Sequence, residues 1–164
     1  GDLEVPAVEL AARIRLAALL CAAGQPNRAA PLARRVLDSE QACPMEVADA
    51  QWYLGEAYIL MGREIEGESL LTAASKQRTL SADQWYELAL AQTRVGRNDE
   101  ALRSTEQSLA AAPRHPEAVE LQGWLTARVP RGGGVPPGKG VPPGDNLAIV
   151  PAEAVAPGAS TSAP

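Results

Sequence analysis

Apolar residues recur three or four positions apart in seven successive stretches of this chain, and each stretch is closed by a polar or glycine-bearing turn. The pattern predicts helices at about 6 to 23, 26 to 39, 45 to 61, 64 to 78, 82 to 95, 98 to 112 and 116 to 129. Three glycines punctuate them. Gly24, Gly62 and Gly96 each follow an Ala- and Leu-rich amphipathic run and precede a second helix, at spacings of 38 and 34 residues. A helix that must stop and reverse favours glycine there, because left-handed backbone geometry is cheap only without a Cβ. Pro26, Asn98, Pro44 and Pro116 suit the opening turns or caps of the helices that follow, and Ser81 with Gln84 reads as a capping box.

Two stretches repeat more closely. "DAQWYLGEAYILMGR" from Asp49 and "ADQWYELALAQTRVGR" from Ala82 both write Gln-Trp-Tyr ahead of an apolar run that ends in Gly-Arg. Leu54, Gly55, Tyr58, Gly62, Leu71 and Ala74 in the second unit, and Trp85, Leu88, Ala89, Gly96, Ala101 and Pro113 in the third, fall in the order of a 34-residue helix-turn-helix signature. The first unit carries a weaker version with Leu16, Ala17, Leu20, Gly24 and Ala29. On these residues the chain resembles the tetratricopeptide repeat family over about residues 6 to 129. It departs from the signature at Gly67, where a small Ala is usual, at Gln92 in place of Tyr, and at Thr105 in place of an aromatic residue.

The resemblance implies an all-α solenoid of three helix-turn-helix repeats plus a C-terminal capping helix, spanning residues 1–130. Small residues such as Gly55 and Ala89 allow close helix approach, large ones such as Leu54 and Leu88 fill the space, and each hairpin hides its remaining apolar flank only against the next. The family binds peptides on the inner face of each first helix. By register that face is expected to carry Ile14, Ala18, Cys21, Trp52, Glu56, Ile59, Tyr86, Leu90, Thr93 and Arg94. Trp85, eleven residues before its glycine, is expected to be buried, whereas Trp52, ten before its own, is expected about 100° further round, in the groove.

Composition narrows the classes of function. A net charge of −5 and a pI near 4.9 leave no clustered Lys and Arg for nucleic acid. The longest apolar run, Leu16 to Ala23, is far short of the ~20 residues a transmembrane helix needs. No signal-peptide pattern opens the chain, which begins with Gly rather than Met, so the compartment stays open between an exported and a cytoplasmic one.

Residues 131–164 differ sharply. Two copies of Gly-Val-Pro-Pro-Gly and a run of Ala, Pro and Ser predict an extended Pro/Gly-rich tail that forms neither helix nor central strand. Leu147, Ile149, Val150 and Val155 are its apolar anchor candidates for docking on the array or on a neighbouring copy. The 17 residues from Pro130 to Leu147 span roughly 50 Å if extended. Ser160, Thr161 and Ser162 are candidate O-glycosylation positions if the protein is exported.

Catalytic patterns are weak. The single His115, directly before Pro116, reads as a helix cap, and Cys21 and Cys43 lack companion metal ligands and fall at opposite ends of one hairpin, too far apart to pair. Glu64, Glu66 and Glu68 suit the positive end of a helix dipole. "RGGGVPPGKG" lacks phosphate-loop spacing. The reading is a non-enzymatic interaction module without a cofactor, whose partner is a protein or peptide. The alternative is a structural subunit of a larger or filamentous extracytoplasmic assembly, joined to its neighbours through the tail.

Overall fold

The computed structural model describes residues 6–129. The tail, with Leu147, Ile149, Val150 and Val155, lies outside them. The described chain forms seven helices and no strand: α1 (Ala7–Ala22), α2 (Pro26–Leu37), α3 (Pro44–Leu60), α4 (Glu64–Ser75), α5 (Ala82–Arg94), α6 (Asn98–Ala111) and α7 (Pro116–Thr126). Sequential helices pack as neighbours, and α1 also packs on α3. The result is a stack of three hairpins closed by α7, a tetratricopeptide-like α-solenoid.

The three hairpin turns share one geometry. Gly24, Gly62 and Gly96 have φ of 70°, 81° and 82°. In each, the glycine N–H donates to the carbonyl three residues back, and the following N–H donates at 2.8 Å to the carbonyl five back: Gln25 to Leu20, Arg63 to Tyr58, and Arg97 to Gln92. These two hydrogen bonds occupy carbonyls left without helical partners at the end of the first helix in every repeat. Pro26, Pro44 and Pro116 open their helices, where the absent N–H has no helical partner to lose. Ser81 Oγ accepts from Gln84 N at 3.2 Å and Gln84 Oε1 from Ser81 N at 3.1 Å, completing the capping box.

Buried residues form a core that runs the length of the stack. Leu10, Ile14, Val36 and Ala50 fill its first end. Ala17, Leu20, Leu54, Ala57 and Tyr58 join α1 and α2 to α3, and Trp52, Leu71, Ala74, Leu80, Leu88 and Ala91 join the second hairpin to the third. Ala89, Ala101, Leu121, Trp124 and Leu125 seat α7.

Three departures from the family signature have local explanations. Gly67 lies against Gly55, and a Cβ at Gly67 would fall 2.6 Å from the Ile59 side chain. Gln92 Oε1 accepts from Ser104 Oγ at 2.7 Å, so a buried polar pair joins α5 to α6 where the family has an aromatic. Thr105 returns its hydroxyl to Ala101 O at 2.7 Å. Glu64 and Glu66 stand in the first turn of α4 as expected, whereas Glu68 lies beyond it and is 1% exposed, accepting from Thr72 Oγ1 at 2.8 Å and lying 3.5 Å from Arg97.

Candidate functional site

The inner faces of α1, α3 and α5 enclose a groove of about 540 Å³. Counting back from each turn glycine shows how it is built. Six residues before the glycine stand Ala18, Glu56 and Leu90, and two before it stand Ala22, Leu60 and Arg94; all six line the groove. Tyr53 and Glu87, nine before their glycines, line it as well. These offsets share one flank of a helix with 3.6 residues per turn.

Of the residues expected on this face, Ala18, Cys21, Glu56, Ile59, Leu90 and Arg94 line the groove. Ile14, Trp52 and Tyr86 do not. They stand ten residues before their glycines, one step of about 100° away, and pack into the seams between hairpins. Ile14 joins Leu10, Val36 and Ala50. Trp52 is 0% exposed among Leu71, Ala74, Leu80, Leu88 and Ala91, whereas Trp85 is only half-buried, the reverse of the expected assignment. Tyr86 lies against α7, its ring centroid 5.2 Å from that of His115. Thr93 is buried and donates to Ala89 O at 2.8 Å.

Trp52 reaches the groove through one atom. Its indole Nε1 donates to Glu56 Oε1 at 2.8 Å and so fixes that carboxyl in the groove wall. Glu56 and Glu87 both line the groove. Burial raises the pKa of Glu56, against the lowering influence of Trp52, Glu87 and Arg78. Burial likewise raises Glu87, helped by the Glu56 charge, the bond to Glu56 and Asp83. Glu87 is exposed on its groove side, so water softens the burial contribution, and the direction carries the chemistry. Each carboxyl acts on the ionisation of the other, so the two titrate as a pair.

Two arginines stand close to the carboxyls, Arg78, whose charge acts on Glu56, and Arg94, which lines the groove itself. Arg78 pairs with Asp49 at 3.0 Å and lies 5.7 Å from the Trp52 ring centroid. Arg94 faces Glu64 at 4.0 Å. Cys21 Sγ donates to Tyr53 O at 3.5 Å, and burial first, then the Glu56 charge, pushes its thiol up to about 12. Such a thiol is a small apolar lining group rather than a nucleophile at neutral pH. His115 caps α7 as expected: Nδ1 accepts from Ala118 N at 3.3 Å, which leaves the Nε2 proton for Asp83 Oδ1 at 2.7 Å.

Among the described residues no group of three or more His, Cys, Asp or Glu is placed to hold a metal, and no helix is long and apolar enough to cross a membrane. Cys21 and Cys43 are both free.

No protein-family model and no curated protein sequence matches the chain. Among solved structures, that of MamA is similar, with a TM-score of 0.60 at 22% sequence identity. The match covers 71% of this chain and 66% of MamA, just under two thirds of the latter's length. The likeness shows the fold, an all-helical repeat solenoid.

Proposed function

We propose that the chain is a non-enzymatic interaction scaffold that holds a peptide segment of a partner protein in the groove between α1, α3 and α5. The observation that supports this is the groove itself. Corresponding positions of three successive first helices supply Ala18, Ala22, Ile59, Leu60, Leu90 and Ala91 as a largely apolar floor, and a cavity of about 540 Å³ accommodates several side chains. The thiol and the imidazole have other occupations, Cys21 as lining and Cys43 outside the groove, His115 as a cap. The tetratricopeptide resemblance points the same way, since that family uses this face for peptides.

A displayed library of random heptapeptides, selected on the full chain, tests the reading. Recovered peptides are expected to lose binding on Ala18→Trp, which fills the groove, and to keep it on Ile65→Asn, which alters the exposed outer face. Peptides that bind both variants equally would contradict it.

A further inference from the structure

The end helices α1 and α7 each carry one half of an interface that the chain uses between its own hairpins. We infer that copies of this chain stack head to tail, α1 of one copy seated on the outer face of α7 of the next, so that the solenoid continues from chain to chain.

The α1 half is read by counting back from the turn glycines. Eight residues before them stand Leu16, Leu54 and Leu88, and five before them stand Leu19, Ala57 and Ala91. Leu54 and Ala57 are buried against the first hairpin, Leu88 and Ala91 against the second. No described hairpin precedes α1, and there the same positions lie open. Leu16 is 46% exposed and Leu19 67%, with Val8 at 81%. Val8, Ala12, Leu16 and Leu19, three or four residues apart and all exposed, form one apolar stripe. The helix that ends a repeat array ordinarily turns a polar face to solvent, and α1 does not.

The α7 half is read by shifting α5 forward by 34 residues, which carries its first residue, Ala82, onto Pro116, the first of α7. Ala89 then falls on Gly123, Gln92 on Thr126 and Thr93 on Ala127. Ala89 is buried in one cluster with Leu121, Trp124 and Leu125, so it is a position on which the next first helix packs. Its equivalent is vacant: Gly123 is exposed, with open space around its Cβ direction, and Val119 one turn before it is 49% exposed. A shallow apolar seat for a following first helix thus stands at one end of the stack, and a first helix with its packing face uncovered stands at the other. The exposed charges beside them are opposite in sign, Arg15 on α1 and Glu117 with Glu120 on α7.

Because the two surfaces differ, each added copy leaves one of each free, and growth does not stop at two chains. One helix face is small beside the ~800 Å² that each partner buries in a stable complex, so the association is a concentrated-solution property.

Sedimentation equilibrium of the full chain, with reductant present so that exposed Cys43 cannot link copies, tests the inference. The average mass is expected to rise above 17.2 kDa between about 5 and 500 μM and to pass twice that value without a plateau. Leu19→Asp at the α1 end, or Gly123→Trp at the α7 end, should each weaken association roughly tenfold or more. An equimolar mixture of the two variants, which retains one intact surface of each kind, should form two-chain complexes and nothing larger. Val8→Asp and Glu120→Arg, also at exposed positions, replace either variant if it fails to fold. A single-chain mass throughout, a plateau at two chains, or a mixture that stays single-chain would overturn the inference. So would a rise in mass that Leu19→Asp leaves unchanged, as when residues 131–164 join the copies.

Discussion

Gly55 on α3 and Gly67 on α4 face each other so closely that neither can carry a side chain. A Cβ on Gly55 would lie 2.9 Å from Gly67 O, and a Cβ on Gly67 would lie 2.7 Å from Gly55 O. The obstruction is backbone, which cannot swing aside as a side-chain tip can. Alanine at either position should therefore destabilise the fold by about 1–3 kcal/mol, an overpacking cost that outweighs the ~1 kcal/mol gain in helix propensity. Gly123, in α7 with open space around its Cβ direction, is the control, and Gly123→Ala should stabilise by about 0.5–1 kcal/mol. Urea unfolding midpoints check both; a Gly67→Ala midpoint at or above that of the unaltered chain would refute the close approach.

Trp52 holds two hairpins together, so its removal should act on stability first. Trp52→Ala should cost about 3–5 kcal/mol, the range for a large buried aromatic. Leu60→Gln, at an exposed groove position, should change stability by no more than about 0.5 kcal/mol while weakening peptide binding. Thermal melts of the two variants separate the roles, and a Trp52→Ala protein as stable as the parent would move Trp52 out of the core.

The two cysteines should differ in reactivity under native conditions. Cys43 is exposed, whereas Cys21 is buried with its thiol pushed up to about 12. Ellman's reagent should modify one thiol per chain quickly and the second only slowly until denaturant is added. Two equally fast native reactions would show that the groove wall opens around Cys21.

The carboxyl pair gives stability a direction with pH. Glu56 and Glu87 are both raised when folded, so folding favours their protonated form. Their stabilising contribution is present at and below the ordinary carboxylate range near 4.5, and is lost as pH rises through the elevated range of the folded pair. Denaturant midpoints for the unaltered chain should fall relative to Glu87→Gln as pH is raised above that range. A difference that stays constant with pH would mean that folding does not raise Glu87.

The fold was legible because its determinants are local. Three turn glycines, opening prolines at 26, 44 and 116, and a capping box at Ser81 each act within a few residues, and the structure forms its helices within three residues of the expected ends. The groove was read less well for a geometric reason. An inner-face stripe drawn through Ile14, Trp52 and Tyr86 differs from the one through Tyr53 and Glu87 by a single residue, and one residue is about 100° of helix. Which of the two turns toward the next hairpin depends on how the hairpins stack, a relationship between helices that no single helix encodes. The offset from the turn glycine was the available signal: positions six and two before it line the groove in all three units. The Gln92 to Ser104 bond was hidden for the same reason, since its partners come from different helices.

The account turns on the concave face being where a partner peptide binds. Backbone amide shift perturbation on titrating a library-selected peptide into the isotopically labelled full chain tests this most directly. The account predicts that shifts concentrate at residues 18 to 22, 53 to 60 and 84 to 94, with α2, α4 and α6 little changed. Shifts confined to α2, α4 and α6 would contradict it.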